Sequence, residues 1–152
     1  MPSSLISTPL GNLLAQETDG KLSRLDFTPE GAGSLPDDQT PLLLSLKSQL
    51  QDYFAGKLMR FDVPLFLSGT PFQRAVWDRL LGIPYGQTAS YHQIAEWLDR
   101  PNADRAVGQA VHHNPVVILV PCHRVVGKNG ALTGYAGGLD RKRDLLKLEA
   151  GD

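Results

Sequence analysis

Ser90-Tyr91-His92-Gln93-Ile94-Ala95-Glu96-Trp97-Leu98-Asp99-Arg100-Pro101-Asn102-Ala103-Asp104-Arg105-Ala106-Val107-Gly108-Gln109-Ala110-Val111-His112 decides the fold. Ser90 followed three residues later by Gln93 is a capping-box signal. It opens a short helix through Ile94, Ala95, Trp97 and Leu98. Arg100-Pro101-Asn102 reads as a turn, and a second helix follows from about Ala103 to His112. Two short helices joined by a few residues form a helix-turn-helix. The second is rich in small side chains. That composition suits tight helix–helix packing, and equally close approach to a nucleic-acid groove with Arg105 projecting.

Upstream, Thr70-Pro71-Phe72-Gln73 supplies an N-cap, a proline at the first helical position and a capping-box glutamine, so a helix runs from there through Trp77 to about Leu81. Gly82-Ile83-Pro84-Tyr85-Gly86 breaks it. The first seventy residues read differently. Leu10–Glu17 and Leu22–Phe27 are strands around Thr18-Asp19-Gly20-Lys21, whose Asp-Gly pair favours a tight hairpin. Residues 28–41, with Pro29, Gly31, Gly33, Pro36 and Pro41, read as a loop. Leu42 to Phe54 is an amphipathic helix ended by Gly56, and residues 57–69 are extended and irregular. The expected architecture is α+β: an N-terminal lobe of hairpin or sheet plus helix over residues 1–69, then a mainly helical lobe over 70–152 that carries the helix-turn-helix.

Downstream lies Val116-Val117-Ile118-Leu119-Val120-Pro121-Cys122-His123-Arg124-Val125, with the one cysteine among 152 residues. A lone cysteine often just fills core space. Here a basic pair follows it, and histidine and arginine are expensive to bury. Either cation is placed to lower the thiol pKa. Pro121 withholds the N–H that a central strand needs. Because successive strand side chains face opposite ways, His123 reaches the sulfur only through a local turn or a bridging water. Lys128-Asn129-Gly130-Ala131 contains a second hairpin signal. Gly134-Tyr135-Ala136-Gly137-Gly138 is a glycine-rich loop without the Lys-Ser/Thr of a nucleotide loop. Residues 139–150 form a last helix, with Leu145, Leu146 and Leu148 apolar and Arg141, Lys142, Arg143 and Lys147 on the polar side. Glu149 near its end opposes the helix dipole and calls for a compensating partner.

The net charge of −1 conceals an asymmetry. Residues 1–70 carry five Lys/Arg against eight Asp/Glu, whereas residues 71–152 carry ten against eight and all four histidines. That permits phosphate contact by the C-terminal part without demanding it. No apolar run reaches the roughly 20 residues of a membrane span, and the N-terminus has no basic region or long apolar segment of a signal peptide. One cysteine excludes an internal disulfide and a Cys-rich zinc site. A reduced, cytoplasmic setting is the expectation, with no metal and no cofactor.

The motifs Ile83-Pro84-Tyr85-Gly86-Gln87-Thr88, Ser90-Tyr91, Arg105-Ala106-Val107-Gly108, Asn114-Pro115, Pro121-Cys122-His123-Arg124-Val125-Val126 and Gly134-Tyr135-Ala136-Gly137-Gly138 together resemble the O6-alkylguanine-DNA alkyltransferase family over roughly residues 70–150. The glycine-rich loop is similar to that of the constitutive bacterial form. The resemblance implies direct-reversal repair of alkylated double-stranded DNA. An O6-methylguanine, and also an O4-methylthymine, is flipped out of the duplex and its alkyl group passes irreversibly to Cys122. It implies that His123 takes the thiol proton through a water, Glu149 holds His123 in the right tautomer, Tyr91 gives a proton to the departing base and Asn114 braces the turn before the cysteine. The second helix of the helix-turn-helix would lie in the minor groove with Arg105 in the gap left by the base. Ala106, Gly108, Gln109 and Ser90 would join it on DNA, while Val125, Tyr135, Ala136 and Val111 line the base pocket. The implied protein is a monomer, with self-association along DNA as an option, and it is consumed in one turnover because no second cysteine resolves the thioether.

Some positions depart from relatives. Val117 and Ala136 alter the pocket, and Asp104 and Gln109 are larger or more polar than in some groove helices. Asp104 is expected to repel phosphate. The alternatives are a non-catalytic module that recognises alkylated DNA, a Cys-His hydrolase and a helix-turn-helix transcriptional regulator.

Overall fold

The structure is a computed structural model and describes residues 1–28 and 37–151. The chain divides into two compact units, Met1–Leu67 and Ser68–Asp152.

The first unit is a three-stranded antiparallel sheet, β1 (Ser3–Thr8), β2 (Gly11–Thr18) and β3 (Lys21–Phe27), in that spatial order, with helix α1 (Pro41–Phe54) against β1 and β2. The β2–β3 turn holds Asp19 and Gly20 at φ 52° and 75°, the left-handed pair that the Asp-Gly signal announces. Ile6, Leu13, Ala15, Leu22 and Leu25 of the sheet and Leu43, Leu46, Leu50 and Tyr53 of α1 are all buried. Burying a leucine-sized side chain contributes about 1.5–3 kcal/mol, so this apolar layer holds the unit together.

Two sequence expectations are corrected here. Strand β1 was not anticipated, because Ser3 and Ser4 mask its alternation; both are buried, with Ser3 N–H donating to Asp38 and Ser4 Oγ to Asp37. Pro41 is not loop. It is the first residue of α1, behind the N-cap Thr40, where a missing N–H costs nothing. The rest of the expected 28–41 loop falls largely on residues 29–36, outside the described residues.

The second unit is mainly helical: α2 (Pro71–Leu81), α3 (Tyr91–Trp97), α4 (Asp104–His112) and α5 (Leu139–Ala150). Both capping boxes form, with Thr70 and Gln73 at the start of α2 and Ser90 and Gln93 at the start of α3. Helices α3 and α4 are the helix-turn-helix. Trp77 of α2 packs under them, fully buried, its Nε1–H donating to the Ala110 carbonyl at 2.8 Å. Two short strands, β4 (Ala89–Ser90) and β5 (Val125–Val126), pair in parallel and tie the start of α3 to the segment following the cysteine. The hairpin expected at residues 128–131 is corrected. Asn129 and Gly130 do take the left-handed turn, at φ 61° and 77°. However, the turn is closed by a Gly127 N–H bond to the Ala131 carbonyl at 2.7 Å, and no antiparallel ladder flanks it among the described residues.

Candidate active site

The apolar run before the cysteine is a compact coil, and Asn114 builds it. The Asn114 side chain accepts from the Val116 N–H at 3.0 Å and donates to the Val120 carbonyl at 2.7 Å. Val120 N–H in turn bonds to the Val116 carbonyl at 3.1 Å. This closure forces Ile118 to φ 72°, a conformation that a β-branched residue adopts only when its surroundings over-determine it. Cys122, His123 and Arg124 then form one tight helical turn. The nucleophile and its neighbours thus stand on a turn rather than a strand.

All three side chains of that turn are buried, Cys122 with 4% of its surface exposed and His123 with none. Glu149 of α5 satisfies the two basic ones. Its Oε2 accepts from His123 Nε2 at 2.7 Å and from Arg124 Nη2 at 3.0 Å, and its Oε1 accepts from Arg124 Nε at 2.7 Å. The remaining guanidinium corner donates to the Ile83 carbonyl at 2.7 Å and stands 5.8 Å from the Tyr85 ring centroid. Gly86 completes the seat: at φ 80° it lets the Glu149 carbonyl approach to within 3.2 Å of where a Cβ would stand. The Ile83-Pro84-Tyr85-Gly86 motif therefore serves to hold Arg124 and the end of α5. Glu149 has its compensating partners.

With Nε2 donating to Glu149, His123 Nδ1 is left as the bare acceptor, and it is buried with no hydrogen-bond partner among the described residues. Burial lowers the His123 pKa, against the pull of Glu149, so the imidazole is neutral and ready to take a proton. Burial likewise pushes the Cys122 thiol up to about 11, with the Asn114 side chain and the Lys142 ammonium pulling the other way. This corrects the expectation that His123 or Arg124 acidifies the thiol, since His123 is neutral and Arg124 is spent on Glu149. At pH 7 such a thiol is about one part in ten thousand thiolate, so its proton has to leave during the reaction.

Lys142 is a further correction. Placed by the sequence on the polar side of α5, it is buried together with Leu145 and Glu149, and Nζ donates to the Thr133 carbonyl at 2.6 Å. Burial lowers its pKa. Lysine is so rarely buried that only the shared face of positions 142, 145 and 149 hinted at it.

A cleft of about 770 Å³ is lined by Ser90, Tyr91 and His92 at the α3 start, Asp104, Arg105 and Gly108 of α4, and Lys128 and Asn129. Cys122 is not among its lining residues. Arg105, Ala106 and Gln109 are exposed on α4, while Gly108 is half-buried, and a Cβ added there would meet the Tyr91 ring at 3.8 Å. Asp104 is not a bare anion: His92 Nδ1 pairs with it at 3.0 Å, and the partnership raises the His92 pKa. Of the expected pocket residues, Val111, Val125 and Tyr135 are buried and Ala136 is exposed. The Tyr135 hydroxyl is buried without a partner among the described residues, and burial holds its pKa well above the ordinary tyrosine value. No cluster of three or more His, Cys, Asp or Glu side chains among the described residues is arranged to hold a metal ion, and no helix among them is long and apolar enough to cross a membrane.

Known families match both units. Residues 1–67 match the ribonuclease-like domain of 6-O-methylguanine DNA methyltransferase, and residues 71–151 match its DNA binding domain. The chain belongs to the 6-O-methylguanine DNA methyltransferase family. The Mycobacterium tuberculosis methylated-DNA–protein-cysteine methyltransferase is 52% identical over 141 residues, covering 92% of this chain and 79% of that protein. The constitutive enzyme of Bacillus subtilis is 46% identical over 150 residues, covering 93% and 91%. A crystal structure of Mycobacterium tuberculosis OGT in complex with DNA superposes with a TM-score of 0.91 at 44% identity, covering 99% of this chain and 94% of that one. In this chain Glu149 holds both His123 and Arg124 of the cysteine turn, and Lys142 is buried on the same helix.

Proposed function

We propose that the chain repairs alkylated double-stranded DNA by transferring the alkyl group of O6-methylguanine, and of O4-methylthymine, to Cys122. The observation that carries this reading is the buried His123–Glu149 pair, which leaves Nδ1 as an acceptor without a partner among the described residues, on the same tight turn as the one cysteine. The thiol proton passes through a bridging water to Nδ1, and Glu149 stabilises the imidazolium that forms. The sulfur forms its bond to the alkyl carbon as the carbon–O6 bond breaks. The released electron pair goes to the base, and Tyr91 delivers a proton there, so charge does not accumulate on the leaving ring. Asn114 holds the turn that aims the sulfur.

The flipped base enters past Val125, Tyr135, Ala136 and Val111, with the unpaired Tyr135 hydroxyl available to it. Helix α4 lies in the minor groove, where Arg105 fills the gap and Ala106, Gly108, Gln109 and Ser90 approach the backbone. The product thioether has no good leaving group, so each molecule acts once. It works as a cytoplasmic monomer without cofactor or metal, with self-association along DNA as an option.

Intact-protein mass after mixing with a duplex carrying one O6-methylguanine, followed by peptide mapping, tests this. The expected result is one added methyl group, on Cys122, with no second equivalent transferred. Unchanged mass with the lesion still bound would instead identify a recognition module, and sustained turnover would overturn the single-use mechanism.

A further inference from the structure

Thr133 belongs to an exposed loop, yet it is held at three points. Its carbonyl accepts the 2.6 Å hydrogen bond from Nζ of the buried Lys142. Its methyl group sits against Gly127, where an added Cβ would come within 3.0 Å of Thr133 Cγ2. Its hydroxyl pairs with the Tyr91 hydroxyl at 2.9 Å. A buried ammonium is tolerated only where it is well paired, so Lys142 is a firm anchor for this carbonyl. With carbonyl and methyl both fixed, the Thr133 hydroxyl has one place to be, and the tip of Tyr91 is what it meets. Tyr91 lines the cleft together with Arg105 and Gly108 of the helix-turn-helix.

We infer that Thr133 is a positioning residue for alkyl transfer, orienting the Tyr91 hydroxyl and supporting its oxygen when the proton leaves. The inference rests on Tyr91 being the proton donor. When Tyr91 gives its proton to the departing base, the O–H electron pair stays on the phenol oxygen, and the Thr133 hydroxyl turns to donate to it. The proton lost by Cys122 leaves through His123 to solvent, and solvent returns one to Tyr91. The balance is thiol plus alkylated base giving thioether plus restored base. A hydrogen bond to a group that becomes charged is stronger than a neutral one, so Thr133 favours the transition state over the resting site.

The test is the single-turnover rate at saturating O6-methylguanine duplex, with duplex affinity measured separately, for T133V, T133S, Y91F and the T133V/Y91F double variant. T133V should slow transfer about tenfold without loss of affinity, and T133S, which keeps the hydroxyl, should stay within about twofold of the parent. In the Y91F background T133V should add nothing, because the two act as one unit. Iodoacetamide provides the readout that a merely structural role would move. Iodide leaves without a proton, so Cys122 should react with it equally fast in the parent and in T133V. A slow Y91F with a T133V as fast as the parent would overturn the role of Thr133 alone. The same slowing by T133V with and without Tyr91, or slowed iodoacetamide reaction, would assign Thr133 to loop structure and overturn it too. A Y91F as fast as the parent would overturn the proton-donor reading itself. Should T133V fail to fold, T133A removes the same hydroxyl and is read the same way.

Discussion

Two histidines in the second unit each hold a carboxylate, and their pKa values move in opposite directions. His123 meets Glu149 at 2.7 Å with neither side chain more than 1% exposed. His92 meets Asp104 at 3.0 Å with both about half exposed, at 54% and 50%. Burial is the largest influence on His123 and lowers its pKa, whereas the hydrogen bond to Asp104 is the largest influence on His92 and raises it. A carboxylate neighbour therefore does not decide the charge of a histidine. Water does. Deep in the protein, desolvation outweighs the anion and leaves a neutral base suited to taking a proton. On the surface the anion prevails and favours the cationic form, which pairs with Asp104 in the wall of the cleft.

Removing the two carboxylates contrasts the regions most sharply. E149A should lose roughly 3–5 kcal/mol of stability in urea unfolding, because Arg124 is left buried without its counter-ion, and transfer should fall with it. D104A should unfold at the parental urea concentration; an equal loss in both would erase the distinction drawn here. Removing the histidines comes next. H123A should slow transfer at saturating DNA by about 10²–10⁴-fold, while H92A should transfer at the parental rate and bind duplex less tightly.

Acid should act on the buried pair in a definite direction. The unfolded chain protonates this imidazole near 6.5 and the folded chain does so only at lower pH, so the unfolded state binds more protons in between. Stability should therefore decline as pH falls below 6.5, measured by thermal unfolding, and H123N should lack this contribution. The smallest effect belongs to the exposed pair. The folded pKa of His92 is raised, so its cation is present below that value and is lost as pH rises through it. Duplex affinity should weaken over that interval at low salt, and not in H92A. A pH-independent affinity would show that His92 does not mask Asp104.

What could be read from the sequence follows the reach of each interaction. The caps at Thr70–Gln73 and Ser90–Gln93 are built within four residues, and both helix starts were legible. The Asp19-Gly20 turn was legible for the same reason. Cys122, His123, Tyr91 and Asn114 stood out through family motifs, and Glu149 through its unfavourable place on a helix. The misses involve distant partners. Strand β1 depends on pairing with β2, and the parallel β4–β5 pair joins residues 36 positions apart at Ala89 and Val125. The role of Arg124 depends on Glu149 and on the Ile83 carbonyl. Lys142 is buried because a carbonyl nine residues back is there to receive it. None of these partners can be named from local pattern alone.

The 25-residue separation between Arg124 and Glu149 sets an order of events during synthesis. A ribosome adding about 5–20 residues per second makes the cysteine turn seconds before it makes the helix that neutralises it. Until α5 arrives, His123 and Arg124 lack the carboxylate that holds them in the folded chain. The turn that carries Cys122 is thus completed only when α5 has been made, so a chain stalled in that interval leaves Arg124 and His123 without Glu149.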